Sequence, residues 1–383
     1  MNRSCTRRLQ QGFSLIDVMV GIVIALVAML VVYQVFAVGE GFKRNTTAIG
    51  EAQVNGLLAS FALGLQLANS GNALATAAQD LASCPDHALT EPDLTKRFAK
   101  SWRPIPILIF DSGADDTPDS FLVNYSTSTT LVAPALGITS SAGTYVVQSP
   151  NGFHPLKGNT TGEREDLIVA IAMPPNADPL DPAAKCEAAR VDLVTPSTTA
   201  ACMAAQGCVE LSYTGTALGT TPYSVFNMGA AADAQKIAYD IDVAKAVLRS
   251  TRLIDDKGQL PNPALSPIPI ASNIVNMKLQ YGIDTDSDGM LDDWVPATGA
   301  WAPDVLLSAS IAKLNQIKAV RMGVIVRSDQ FDKNYNVDVP WSMFSGANQL
   351  SGTFLKSVSP PGNWRYRPYE TVIPLRNEMW NKQ

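Results

Sequence analysis

The segment "DTDSDGMLDDW" sets Asp284, Asp286 and Asp288 at alternate positions, with Gly289 next and Asp292 and Asp293 close behind. Carboxylates at loop positions 1, 3 and 5, a glycine at 6 for the sharp turn, a backbone carbonyl at 7 and an acid at 9 make the oxygen set that holds Ca²⁺. Met290 supplies the carbonyl of position 7 and Asp292 the acid of position 9. The bidentate glutamate of position 12 is missing, because Val295 stands there, so Asp292 or Asp293 must close the shell. Carboxylates this dense repel one another without a cation. The spacing therefore predicts a structural Ca²⁺ site that clamps a loop between two strands. The competing reading is a solvated acidic turn followed by a core tryptophan, Trp294.

Other chemistry is sparse. His87 and His154 are the only imidazoles, each among turn residues, and no G-x-S-x-G, Walker loop or dinucleotide fingerprint occurs. Nothing in these patterns supports an enzyme. A second acidic cluster, "DSGADDTPDS" at 111–120, has irregular spacing and Pro118, and reads as a surface loop. Besides Cys5, the cysteines are Cys84, Cys186, Cys202 and Cys208, an even set without C-x-x-C spacing. Disulfides in an oxidising compartment fit better than zinc ligation or free thiols. Three pairings are open; Cys202 with Cys208 is the easiest to close, and Cys84 with Cys186 would then remain.

These residues need elements to carry them. The chain has 383 residues, 46% of them apolar, enough for a real core. Setting aside Arg3, Arg7 and Arg8 at the start, 26 bases face 35 acids, so no general attraction to nucleic acid is expected. From Val18 to Gly39 no charge occurs, and such a helix spans about 30 Å, the thickness of a bilayer core. The basic residues before it predict a cytoplasmic N-terminus and an outer face for everything beyond about Lys43. A secretory signal would need a shorter apolar core and a small-residue cleavage site, and "VVYQVFAVGEGFKRN" has none. Helical spacing continues through Ile49, Val54, Leu57, Leu58, Phe61, Leu65 and Ala68, a stripe expected to pack on a globular head. Gly39 and Gly41 predict a bend at the membrane surface.

The order of leader, Gly12, Phe13, "SLI", Asp17 and apolar run closely resembles the type IV prepilin signal. That resemblance implies cleavage between Gly12 and Phe13 by a prepilin peptidase and methylation of Phe13. It also implies that Asp17, a glutamate in most of the family, pairs with the free N-terminal amine of a neighbouring subunit. A carboxylate in the membrane needs such a partner. Aspartate is one methylene shorter, which leans toward a minor subunit.

Strand-like runs follow at 106–110, 121–125, 144–148, 166–173, 208–213, 273–282, 318–328 and 369–376. Val275, Met277, Leu279 and Tyr281 alternate with Asn276, Lys278 and Gln280, and Val320, Met322, Val324 and Val326 with Arg321, Gly323 and Arg327. That period predicts half-buried antiparallel sheet. The fold class is α+β: a cleaved leader 1–12, a long helix 13–69, and a pilin-like head 70–383 with irregular insertions between about 70 and 235. The order of "IVNMKLQYGIDTDSDGMLDDW", "IKAVRMGVIVRS" and "YRPYETVIPLRN" resembles the C-terminal part of PilW-type minor pilins, over about 236–383. This implies a subunit of the inner membrane, head in the periplasm, that starts or caps a type IV pilus. Its partners would be other minor pilins, the major pilin and a PilY-type adhesin, with incorporation in the pilus tip. The alternatives are a type II secretion pseudopilin at the piston tip, and a tip module for adhesion or DNA uptake.

Overall fold

Fifty-five residues, Leu15–Asn69, form one helix, α1. Ser14 caps it, its hydroxyl accepting from the Ile16 amide at 3.4 Å. The helix runs unbroken through Gly39 and Gly41, where the sequence predicts a bend. Two glycines cost about 1 kcal/mol each, which weakens a long helix without ending it. The computed structural model describes residues 14–85, 93–128, 133–148, 152–153, 166–197, 202, 207–261, 265–330, 338–346, 348–354 and 364–375. Gly12, Phe13, His87 and His154 lie outside them.

From Leu15 to Arg44 the helix is exposed along its whole surface and is long and apolar enough to cross a membrane. Its second half packs on sheet. After Asn69 the chain continues through a turn and a short helix, α2 (Ala78–Leu81), then α3 (Leu94–Lys100), capped by the Asp93 carboxylate on the Thr95 and Lys96 amides.

Among the described residues seventeen strands follow in four groups. A five-stranded antiparallel sheet has the order β1 (Ile107–Phe110), β2 (Ser120–Ser126), β9 (Ala234–Asp242), β10 (Val247–Arg252), β11 (Ile268–Ser272). A four-stranded sheet has the order β13 (Asp293–Val295), β12 (Ile274–Ile283), β14 (Ile317–Arg327), β17 (Tyr366–Pro374), also antiparallel. Two short helices, α4 (Pro303–Leu307) and α5 (Ile311–Leu314), connect β13 to β14. A hairpin, β15 (Val339–Met343) and β16 (Leu350–Phe354), covers the four-stranded sheet. α1 lies on β14 and β17 and touches β11 and β2, so helix and both sheets share one core.

The remaining strands close into a barrel, β3 (Ala135–Ser141), β4 (Thr144–Gln148), β7 (Cys208–Gly215), β6 (Cys186–Pro196), β5 (Asp166–Ile171), β8 (Ser224–Ala230). Tyr145, Val147, Ile168, Leu211 and Val225 are among the side chains that fill it. The sequence predicts three of these strands, as the runs 144–148, 166–173 and 208–213, but reads the region around them as irregular insertion and not as a closed barrel. Closure satisfies every edge strand, so short runs rich in Ala, Thr and Gly suffice. A second apolar cluster joins the barrel wall to the segment after α1 through Leu74, Leu81, Trp102, Leu167 and Phe226.

The half-buried reading of β12 and β14 also fails. Asn276, Lys278, Gln280 and Arg321 are all buried, because the 111–119 loop and the β15–β16 hairpin cover the polar face. Each polar group there has a partner, as burial demands.

Candidate functional site

The second half of α1 is apolar on two opposite faces. Ala48, Ala52, Gly56, Ala59, Leu63 and Leu67 face the sheets and are buried. Small residues lead this face because the backbone comes close: a Cβ on Gly56 would sit 2.3 Å from a Tyr369 ring carbon. Of the stripe expected to pack, Ile49 is half-buried and Ala68 packs on the core, but Val54, Leu57, Leu58, Phe61 and Leu65 point outward, with Phe61 72% and Val54 65% exposed. Spacing alone finds both stripes, but size decides which one docks, since a bulky ridge cannot approach a flat sheet as closely as alanine. Between the span and this stripe the exposed residues Lys43, Arg44, Thr46, Thr47, Glu51 and Gln53 are polar. Between Thr46 and Asn69 the only charge is Glu51. Asp17, in the first turn of α1, is exposed on the same free half of the helix.

The acidic loop joins β12 to β13. Asp284 is buried, its Oδ1 accepting from the Ser287 amide at 2.7 Å and its Oδ2 from the Gly289 amide at 3.0 Å. Gly289 has φ +89°, the left-handed turn predicted for position 6. Asp286 and Asp288 accept from the Asp288 and Met290 amides. Asp292 Oδ2 accepts from the amide and hydroxyl of Thr285, and these bonds hold its carboxyl below the usual value. Carboxylate oxygens of Asp284, Asp286 and Asp292 come within 4.8 Å of one another. Of the two acids that could close the shell, Asp292 joins this group. Asp293 starts β13 opposite Ile283, and Asp288 is likewise not in the group. Met290 is exposed. An all-oxygen set with a buried first ligand fits a hard divalent cation.

The cysteines pair as Cys84–Cys186 and Cys202–Cys208. The first pins the segment after α1 to barrel strand β6, across 102 residues of chain. The second closes a short loop at the start of β7.

Two buried ammonium groups were not legible as such. Lys278 Nζ donates to Ser112 Oγ at 3.0 Å, the Ala114 carbonyl at 2.7 Å and Asp119 Oδ1 at 2.9 Å. The second acidic cluster thus has an exposed tip, as its composition predicts, but a buried base that wraps a lysine. Desolvation raises the Asp119 carboxyl from its ordinary value despite that partner. The other lysine, Lys236, donates to the carbonyls of Phe98, Ala99 and Ser101 at the end of α3 and stacks on Trp102 at 4.0 Å. Burial pulls its pKa well below the usual lysine value.

The sheet that carries the acidic loop and receives α1 is also where a known family appears. Residues 238–377 match the family model described as type IV pilus-assembly protein W, PilW. This part of the chain is of the PilW type. It begins inside β9, takes in the whole four-stranded sheet and the acidic loop, and ends just past β17. The match supports a part in type IV pilus assembly in general. No curated protein and no solved structure matches the chain. The barrel, residues 135–230, lies entirely outside the PilW-type region.

Proposed function

We propose that the chain is a minor pilin that helps start or cap a type IV pilus by packing α1 against the helices of other subunits. The observation that carries this reading is the outward stripe Val54, Leu57, Leu58, Phe61 and Leu65, exposed on α1 beyond the apolar span. Apolar surface of this length beside a membrane is a docking surface for something parallel to it, and another pilin helix leaving the same bilayer is parallel. The head takes no part in that face, because it already occupies the opposite one.

In this reading prepilin peptidase cuts between Gly12 and Phe13, Phe13 is methylated, and Asp17 meets the amine of a neighbour inside the bilayer. The chain sits in the inner membrane with its N-terminus cytoplasmic and its head periplasmic, beside other minor pilins, the major pilin and a PilY-type adhesin. Ca²⁺ held by Asp284, Asp286 and Asp292, with Asp288, the Met290 carbonyl and Asp293 nearby, would neutralise the loop and stiffen the β12–β13 junction.

N-terminal sequencing of the mature chain and complementation of a deletion strain test the reading together. The expected results are a first residue of methylated Phe13, piliation restored by the wild type, and none restored by Phe61→Asp. A mature chain beginning elsewhere, or full piliation with the variant, contradicts it.

A further inference from the structure

The register of α1 on β17 fixes which end of the head is nearest the span. Gly56 packs on Tyr369 and Gly64 on Ile373. Eight helical residues, about 12 Å, therefore match four strand residues, about 13 Å, and the two elements run parallel. Carried back at that rate, Tyr366 stands level with about residue 49 of α1, roughly 15 Å past Gly39, and Trp364 lower still. A headgroup layer fills about 5 to 8 Å of that gap. The start of β17 thus lies about one Debye length from the lipid surface.

Three other segments share this end. Arg327 at the end of β14 is opposite Tyr366, Ile274 at the start of β12 is opposite Val326, and the turn between β9 and β10 meets Ile274 through the Ala246 carbonyl at 3.0 Å. Among the described residues this end gathers Lys245, Arg327, Arg365 and Arg367, with Trp364, Tyr366 and the exposed Val243 at the tip of the turn. Arg327 stacks on Trp364 at 4.6 Å. Lys43 and Arg44 stand on α1 just below. The acids nearby are engaged or apart: Asp242 with Arg249 at 3.3 Å and Lys245 at 3.7 Å, Asp329 with the Asn273 amide at 3.0 Å, and Glu51 exposed on α1.

The opposite end of the same sheet carries the acidic loop, where Ile283 faces Ile317 and Ala319 faces Pro374. A chain of net charge −6 thus places a basic and aromatic end toward the span and an acidic end away from it. Arginine with tryptophan and tyrosine is the composition that settles at a lipid interface, and basic residues within a Debye length are drawn to anionic headgroups.

We propose that this end of the head, from the 242–246 turn to Arg367, rests on anionic lipid headgroups of the leaflet from which α1 emerges, setting the tilt of the head before assembly. The proposal depends on α1 spanning the bilayer. The test is hydrogen exchange of the full chain in nanodiscs of phosphatidylcholine, with and without phosphatidylglycerol. Exchange at 242–246 and 364–367 should slow when phosphatidylglycerol is present, by about fivefold for each engaged basic residue, and recover at high salt. Lys245→Glu with Arg367→Glu, both at exposed positions, should erase the lipid difference while leaving the melting temperature in place. Equal exchange in the two lipids overturns the proposal. Failure of the chain to stay with either disc refutes the spanning helix, and the proposal with it.

Discussion

The Tyr369 ring on β17 lies so close to Gly56 of α1 that only a residue without a side chain fits between helix and sheet. Gly56→Leu should therefore lift the helix or rotate the ring, costing about 1 to 3 kcal/mol. Thermal unfolding of the full chain in detergent reads this directly. Phe61→Asp on the opposite face should shift stability by less than about 0.5 kcal/mol. A similar loss from both would mean that the outward stripe is not free.

Calcium should act through the acidic loop. Millimolar Ca²⁺ is expected to raise the melting temperature of the wild type, and Asp284→Asn to abolish the gain while also loosening the turn that Asp284 holds through Ser287 and Gly289. No change in melting temperature with Ca²⁺ would leave the loop a hydrogen-bonded acidic turn.

Asp119 and Lys278 should behave as a buried pair. Asp119→Ala leaves an ammonium without its counter-charge and is expected to cost about 3 to 5 kcal/mol in urea unfolding. Lys278→Met with Asp119→Asn should recover part of that loss, because the single carbonyl oxygen of asparagine still accepts from one of the two amides, Ser112 or Leu279, that Asp119 holds. Additive losses in the double-mutant cycle would contradict the pairing.

Lys236 gives a pH signature. Its folded pKa lies below the ordinary lysine value near 10.4, so between the two the unfolded chain binds more protons. Stability from this group therefore rises with pH across that window, by up to about 1.4 kcal/mol per pH unit. Denaturant midpoints of the wild type and Lys236→Met, compared at about pH 7 and about pH 9.5, should move in the wild type's favour at the higher pH. A constant difference would show that Lys236 stays charged throughout.

Legibility in the sequence followed the strength of the local pattern. The span, the α1 boundaries, the strands with dense Val and Ile such as β12 and β14, and the turn at Gly289 all follow from periodicity or turn chemistry. The barrel followed only in part: β4, β5 and β7 show as apolar runs, whereas β3, rich in Thr, Ser and Gly, and β6, broken by Glu187, Arg190 and Asp192, gain their place only by closing the ring. Lys278 and Gln280 read as solvent-facing because alternation reports one covered face and says nothing of what later covers the other. The two stripes of α1 were confused for a related reason: Ala48, Ala52 and Gly56 carry little hydropathy, and their value lies in how near they let the sheet approach. Both disulfides were reachable from the even cysteine count and the short reach between Cys202 and Cys208.

The claim that α1 docks on other pilus subunits through its outward face is tested most directly by photo-crosslinking in cells. A photoreactive residue placed at Phe61 should capture the N-terminal helix of another pilus subunit, and one placed at the buried Ala59 should capture only the chain's own sheets. Capture of lipid alone at Phe61, or of no pilus subunit, would contradict the assembly role.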